Sequence, residues 1–320
     1  VMCRARLVWA IVVGVGGVAT PGIARSSGDP VPAAAPAAPS TVPPPLPRAL
    51  PEGGTHSGDH EWRLVWGDDF NGPSLNASVW NVRTNLSHCC GPLGGRGELE
   101  LYLPEEVAVE GGALVLRTRH RPGGVRGPGG VEFNYTSGWV DTKGKVAVRY
   151  GRFEANCSLP PKAATGVWPA FWLLPDSGQC WPTGGEVDIF EFNGNWLEDA
   201  VFGSYHWAKP GQPNCGKDRA PIPGRGVKPA AAPPDWQTGW HLYAAEWSPD
   251  RIDFYLDGEL YFTRTSAEVD LPTAAMYVIF DQAVDAWLFP PATGPAAYGD
   301  GVFLKVDYVR VYQQVNTSAV

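Results

Sequence analysis

Between Trp62 and Gln313, short runs of apolar and polar residues are interrupted every few positions by turn residues. The runs are EWRLVW, ELELYL, VAVEGGALVLRTRH, KVAVRYGRFEANCSL, GEVDIFEF, HLYAAEWS, RIDFYLDGELYFTR, MYVIFDQAV and FLKVDYVRVYQ. Alternation with a period of two, clearest in VRYGRFEANC and KVDYVRVY, is what a strand with one buried face requires. Asp257-Gly258 between IDFYL and ELYFT predicts a hairpin turn, because both residues tolerate the backbone such a turn needs. No window keeps a helical period for three turns. About ten or more strands over this length exceed an immunoglobulin-sized sandwich. The pattern predicts an all-β fold: a jelly-roll-like sandwich of two large antiparallel sheets packed face to face. With no internal repeat, residues 61–315 read as one domain and 316–320 as a tail.

The N-terminal part departs from this pattern. Arg4 and Arg6 precede an apolar stretch from Leu7 to Ala19 and small residues ending at Ala24, so residues 1–24 have the layout of a secretory signal. The apolar stretch is shorter than the roughly 20 residues a membrane span needs. Residues 25–60 are rich in Pro and Ala, cannot bury enough surface to fold, and read as an extended tether or a tail without a task. The mature protein is expected outside the cell or in a cell wall, as a monomer without membrane insertion.

Composition narrows the function. At 320 residues and 44% hydrophobic content the chain has a core to bury. Its net charge of -8 gives no footprint for a phosphate backbone, which argues against nucleic acid as a partner. Fourteen Trp exceed what such a core needs, and flat aromatic faces suit the apolar faces of sugar rings. Of six cysteines, Cys3 leaves with the signal. The expected disulfides are Cys180 to Cys215, and Cys89 or Cys90 to Cys157. Sequons at Asn76, Asn85, Asn134, Asn156 and Asn316 suit a secreted glycoprotein, with some of them unused.

The densest chemical signal is GGEVDIFEFNGN. On a strand, Glu186 and Asp188 share a face, whereas Glu191 falls on the other unless a bulge at Ile189 or Phe190 takes up one residue. Retaining glycosidases hold two carboxyls about 5 Å apart, while strand residues four apart are separated by roughly 13 Å, so curvature and leaning side chains are needed as well. Neighbouring acids raise one another's pKa, which lets one stay protonated while another is ionised. The bare pattern also fits a solvated acidic face. Trp168 and Trp172, four apart in GVWPAFWLLP, and Trp181, five before Glu186, favour a sugar cleft. His206 and Trp207 in YHWA stand on the next strand.

E-V-D-I-F-E resembles the active-site signature of the family 16 glycoside hydrolases in its bulged form, typical of laminarinase-like endo-β-1,3-glucanases. YTSGWVDTKGK, YGRFEANCSLP, GVWPAFWLLP, WHLYAAEWSPDRIDFYLDG and LKVDYVRVYQ resemble the family's segments in the family's order. The resemblance implies a β-jelly-roll with an open concave cleft and a retaining double displacement on β-1,3-glucan or mixed β-1,3-1,4-glucan. It implies Glu186 as nucleophile, Glu191 as acid/base and Asp188 as the residue that tunes the nucleophile. Trp168, Trp172, Trp181 and His206 would bind substrate by that resemblance, and Trp207, beside His206 in YHWA, is expected to bind it as well. No cofactor is required, but the family's structural calcium would fall to Asp307 and Asp69. Two departures bear on the subsites. Trp139 stands in SGW where the family often has arginine, and Phe280 to Ala286 depart from the family's usual segment. A transglycosylase, or a glucan-recognition protein without turnover, are the competing functions. The latter generally lack one or both glutamates, which are present here.

Overall fold

The computed structural model describes residues 61–84, 98–160, 166–179, 181–192, 201–208, 225–226, 239–284 and 298–315. The signal, the tether, Cys89, Cys90, Cys180, Cys215, Asn85, Asn316 and residues 285–286 lie outside them. The first strands are β1 (Trp62–Asp68), β2 (Asn81–Val82), β3 (Glu100–Tyr102), β4 (Val107–Glu110), β5 (Ala113–Arg126) and β6 (Glu132–Ser137). They are followed by β7 (Trp139–Asp141), β8 (Gly151–Ser158), β9 (Val167–Pro175), β10 (Glu186–Glu191), β11 (Phe202–His206) and β12 (Arg225–Gly226). The last are β13 (Trp240–Trp247), β14 (Arg251–Leu256), β15 (Glu259–Thr265), β16 (Met276–Val284) and β17 (Val302–Gln314). Helix is confined, among the described residues, to 3-10 turns and single positions, and no helix is long and apolar enough to cross a membrane.

These strands form the two sheets that the alternation predicts. One runs β15-β14-β13-β8-β17-β5-β6-β3, with β1 beside β17 and β4 beside β5; the other runs β12-β11-β10-β9-β16-β7-β2. The pairing is antiparallel except between β3 and β6. The Asp-Gly hairpin forms, pairing Leu256 with Glu259 across Asp257 and Gly258 at φ 51° and 85°. One run ends short of expectation. KVAVRY stays outside β8 because the backbone breaks at Tyr150, φ 59°, and Gly151, φ 131°. A Cβ on Gly151 would lie 2.1 Å from the Tyr312 carbonyl oxygen, so the close approach to β17 demands glycine.

Between the sheets, Phe171, Phe190 and Phe280 of the seven-stranded sheet meet Phe153, Tyr243, Phe254 and Val306 of the other. Phe171 stacks on Phe280 at 4.6 Å, and Phe190 reaches across to Tyr243 at 4.5 Å. Each such aromatic, fully buried, contributes about 1.5–3 kcal/mol. Cys157 points into this core between His241 and Val306 of the flanking strands and is a free, buried thiol. The expected disulfide at Cys157 is thereby corrected: its side chain shares a face with Phe153 and Ala155, inside the sandwich. Asn156 is 2% exposed and donates to Asp307, so that sequon is not open to a glycan in the folded protein, whereas Asn76 and Asn134 are exposed.

Candidate active site

The chemistry-bearing residues lie on the outer face of the seven-stranded sheet. Asp188 pairs with Trp172 of β9 and Ser204 of β11, and the register then slips by one residue before Glu191 meets Ala170 and Phe202. That slip is the bulge the five-residue spacing requires. Val187, Ile189 and Phe190 all turn into the core with no exposed surface, leaving Glu186, Asp188 and Glu191 on the outer face. Tyr261 of the opposite sheet supports the bulge from behind by donating its hydroxyl to the Ile189 carbonyl at 3.3 Å.

Polar neighbours fix the acids. Trp181 Nε1 donates to Glu186 Oε2 at 2.7 Å, and Ser204 Oγ donates to Glu191 Oε2 at 3.4 Å. His206 Nε2 lies 3.0 Å from Asp188 Oδ2 and 3.9 Å from Glu186 Oε1. Burial, then the charges of Glu191 and Glu186, push the Asp188 carboxyl well above the ordinary range, with His206 pulling the other way. Burial alone would lower His206. Asp188 beside it, then Glu186 and Glu191, outweigh burial and push the imidazole up to about 8. At neutral pH the cluster therefore holds several carboxyls against one imidazolium, an arrangement suited to dividing ionised and protonated roles.

Among the described residues, Glu186, Asp188 and His206 are also the one trio of potential metal ligands whose donor atoms lie within 4.8 Å of one another. His206 Nε2 is already engaged with Asp188 Oδ2 at 3.0 Å, a pairing that serves proton chemistry without a cation. Asp69 and Asp307 do not fit the expected calcium. Arg310 Nη2 is 2.7 Å from Asp69 Oδ1, and Asp307 accepts from Asn156 at 3.1 Å. A guanidinium on the first ligand opposes a divalent ion there.

The aromatic residues divide. Trp181 is half-buried and lies 6.1 Å from the His206 ring, at the acids. Trp168 and Trp172 line a small recess with Glu98, Trp139, Ala170, Asp281 and Ala283, of about 10 Å³, room for one water. Trp172 is 1% exposed and donates to Asp281 Oδ1 at 2.7 Å, so it forms the wall of the cleft and offers no open stacking face. Trp207 is not brought to the acids. It follows Tyr205 to the core side and stacks on it at 5.8 Å and 6°.

Sequence reasoning missed several residues of this face. Ser204 shares a face with His206, and a period of two could have found it. Glu98, Glu100 and Tyr102 alternate in GELELY, and Tyr102 donates to Asp281 at 3.3 Å. Asp141 of β7, fully buried, accepts from Asn81, Arg83, Trp139 and the Lys143 amide.

Comparison with known proteins places this geometry. The model of glycosyl hydrolases family 16 matches residues 98–293. A β-glucanase from Rhodothermus marinus is 33% identical over 276 residues, covering 79% of this chain and 86% of the relative. Glucan endo-1,3-beta-glucosidase A1 from Niallia circulans is 30% identical over 270 residues, and the alignment takes in 78% of this chain but 38% of that longer protein. The X-ray structure of an endo-beta-1,3-glucanase from Pyrococcus furiosus superposes with a TM-score of 0.70 at 31% identity, covering 83% of this chain and 99% of that one.

Proposed function

The chain belongs to glycosyl hydrolases family 16, and from that premise we propose that it is an endo-acting hydrolase of β-1,3-glucan working by a retaining double displacement. The observation that carries the reading is the bulge at Ile189, which leaves Glu186, Asp188 and Glu191 together on the outer face of the sheet beside His206 and Trp181. Relatives named as a β-glucanase and a glucan endo-1,3-beta-glucosidase support the substrate class.

In the first step the Glu186 carboxylate attacks the anomeric carbon. The bond to the leaving sugar breaks, and Glu191 gives its proton to the departing oxygen. In the second, Glu191 takes a proton from water, the hydroxide forms a bond to the anomeric carbon, and the ester to Glu186 is released. The Trp181 indole, donating to Glu186, orients the nucleophile. Asp188, held at a raised pKa and facing the His206 imidazolium, tunes the charge beside it. The N-terminal layout of residues 1–24 supports action outside the cell, on wall or storage polysaccharide.

The test is product analysis by mass on laminarin, lichenan and xyloglucan, with Glu186→Ala and Glu191→Ala beside the unaltered protein. Short β-1,3 oligosaccharides that vanish in both variants are expected. Products longer than the starting chains would instead make it a transglycosylase. Binding without any product would make it a recognition protein.

A further inference from the structure

Resting on that reading, we propose that Arg83 forms a distal sugar-binding subsite at the β2 edge of the cleft, making the enzyme's affinity depend on an extended chain. Arg83 follows β2 and shares a face with Asn81, which pairs with Asp141 of β7. Its Nε and Nη2 both donate to the fully buried Asp141 carboxylate, the latter at 2.8 Å. Trp139 Nε1 donates to the same carboxylate at 3.1 Å, and the Lys143 amide at 3.0 Å. The guanidinium is thus aimed by a rigid anchor while 29% of the side chain stays open to solvent. Such a fork, held on one edge and open on the rest, is a donor set for vicinal sugar hydroxyls.

Its place in the sheet sets which substrates feel it. From β10, which carries the acids, the order runs β9, β16, β7, β2. Four strand spacings amount to about 19 Å. Trp168, Trp172 and Trp139 occupy the stretch between, so the acids, the tryptophan wall and Arg83 lie in sequence across the face. A chain that only covers the acids cannot reach Arg83, and a chain several units longer can.

The experiment compares the unaltered protein with Arg83→Gln and Arg83→Met on β-1,3-linked glucose oligomers of three and six units, measuring kcat and KM. Loss of a hydrogen bond from a charged donor predicts KM raised about tenfold on the longer chain. Within twofold, kcat on either chain and KM on the shorter one should stay as they were. Unchanged turnover of the short chain shows that the variants are folded. Equal effects on both chains, or none, would overturn the subsite while leaving the hydrolase intact. Failure of the unaltered protein to cleave either oligomer would overturn the hydrolase reading and the subsite with it.

Discussion

Replacing Glu100 by glutamine should stabilise the protein, by an amount that grows with pH. Glu100 of β3 is 1% exposed and accepts the Val284 amide at 2.7 Å, tying β3 to the end of β16. Burial pushes its carboxyl from 4.5 up to about 8, against the pull of that amide. A group raised in this way favours folding fully below its unfolded value and loses that contribution as pH climbs to its folded value. Below pH 4.5 both states hold the proton, and Glu100 and its amide isostere should be equivalent. Between 4.5 and about 8 the unfolded chain releases the proton and the folded one does not, a loss of about 1.4 kcal/mol per pH unit. Glu100→Gln should therefore be more stable by about 3 kcal/mol at pH 7, rising to about 5 kcal/mol above pH 8. The glutamine oxygen still accepts the Val284 amide, while the side-chain contact with Tyr102 passes from a carboxyl to a carboxamide, an offset that does not grow with pH. Urea unfolding of both proteins from pH 4 to pH 9 measures the gap directly. The corresponding difference in Tm at pH 7 is on the order of 6–12 °C. A gap that stays constant across this range, or a variant less stable at pH 7, would refute the reasoning.

Two other perturbations probe the acids. Trp181→Phe removes the indole donor to Glu186 while keeping an aromatic ring, and should lower kcat roughly tenfold with the Tm little changed; an unchanged kcat would mean the indole plays no part in orienting the nucleophile. His206 is raised from 6.5 to about 8, so its contribution to folding is complete below 6.5 and lost as pH rises through about 8. The stability advantage of the unaltered protein over His206→Gln should accordingly shrink by about 2 kcal/mol between pH 6 and pH 9, measured by chemical denaturation.

Much of this site was readable from spacing. Glu186 and Asp188 are separated by Val187 alone but Asp188 and Glu191 by the pair Ile189-Phe190, which demands one extra residue in the strand, and the register slips there. The Asp257-Gly258 hairpin was equally local. Trp207 departs from the expected substrate contact because neighbours on a strand face opposite ways, and Trp207 shares the core side with Tyr205. The same rule would have put Cys157, in register with Phe153 and Ala155, inside the sandwich and away from a disulfide. Arg83 and Asp141 were invisible for another reason. They stand 58 positions apart, and only the pairing of β2 with β7 brings their side chains into contact. No local pattern marks Asp281 as the acceptor for both Trp172 and Tyr102 either.

The bulge in β10 has a consequence for heat inactivation. The distance between Glu186 and Glu191 is set by main chain whose bulge, at Ile189 and Phe190, is clamped against Tyr261 and Tyr243 of the other sheet. No pliant loop separates the acids from the sandwich, so they have no local melting of their own. Catalytic competence is then a gauge of the folded fraction: on heating, turnover disappears together with the global transition, and on refolding it returns only once the two sheets have closed on each other.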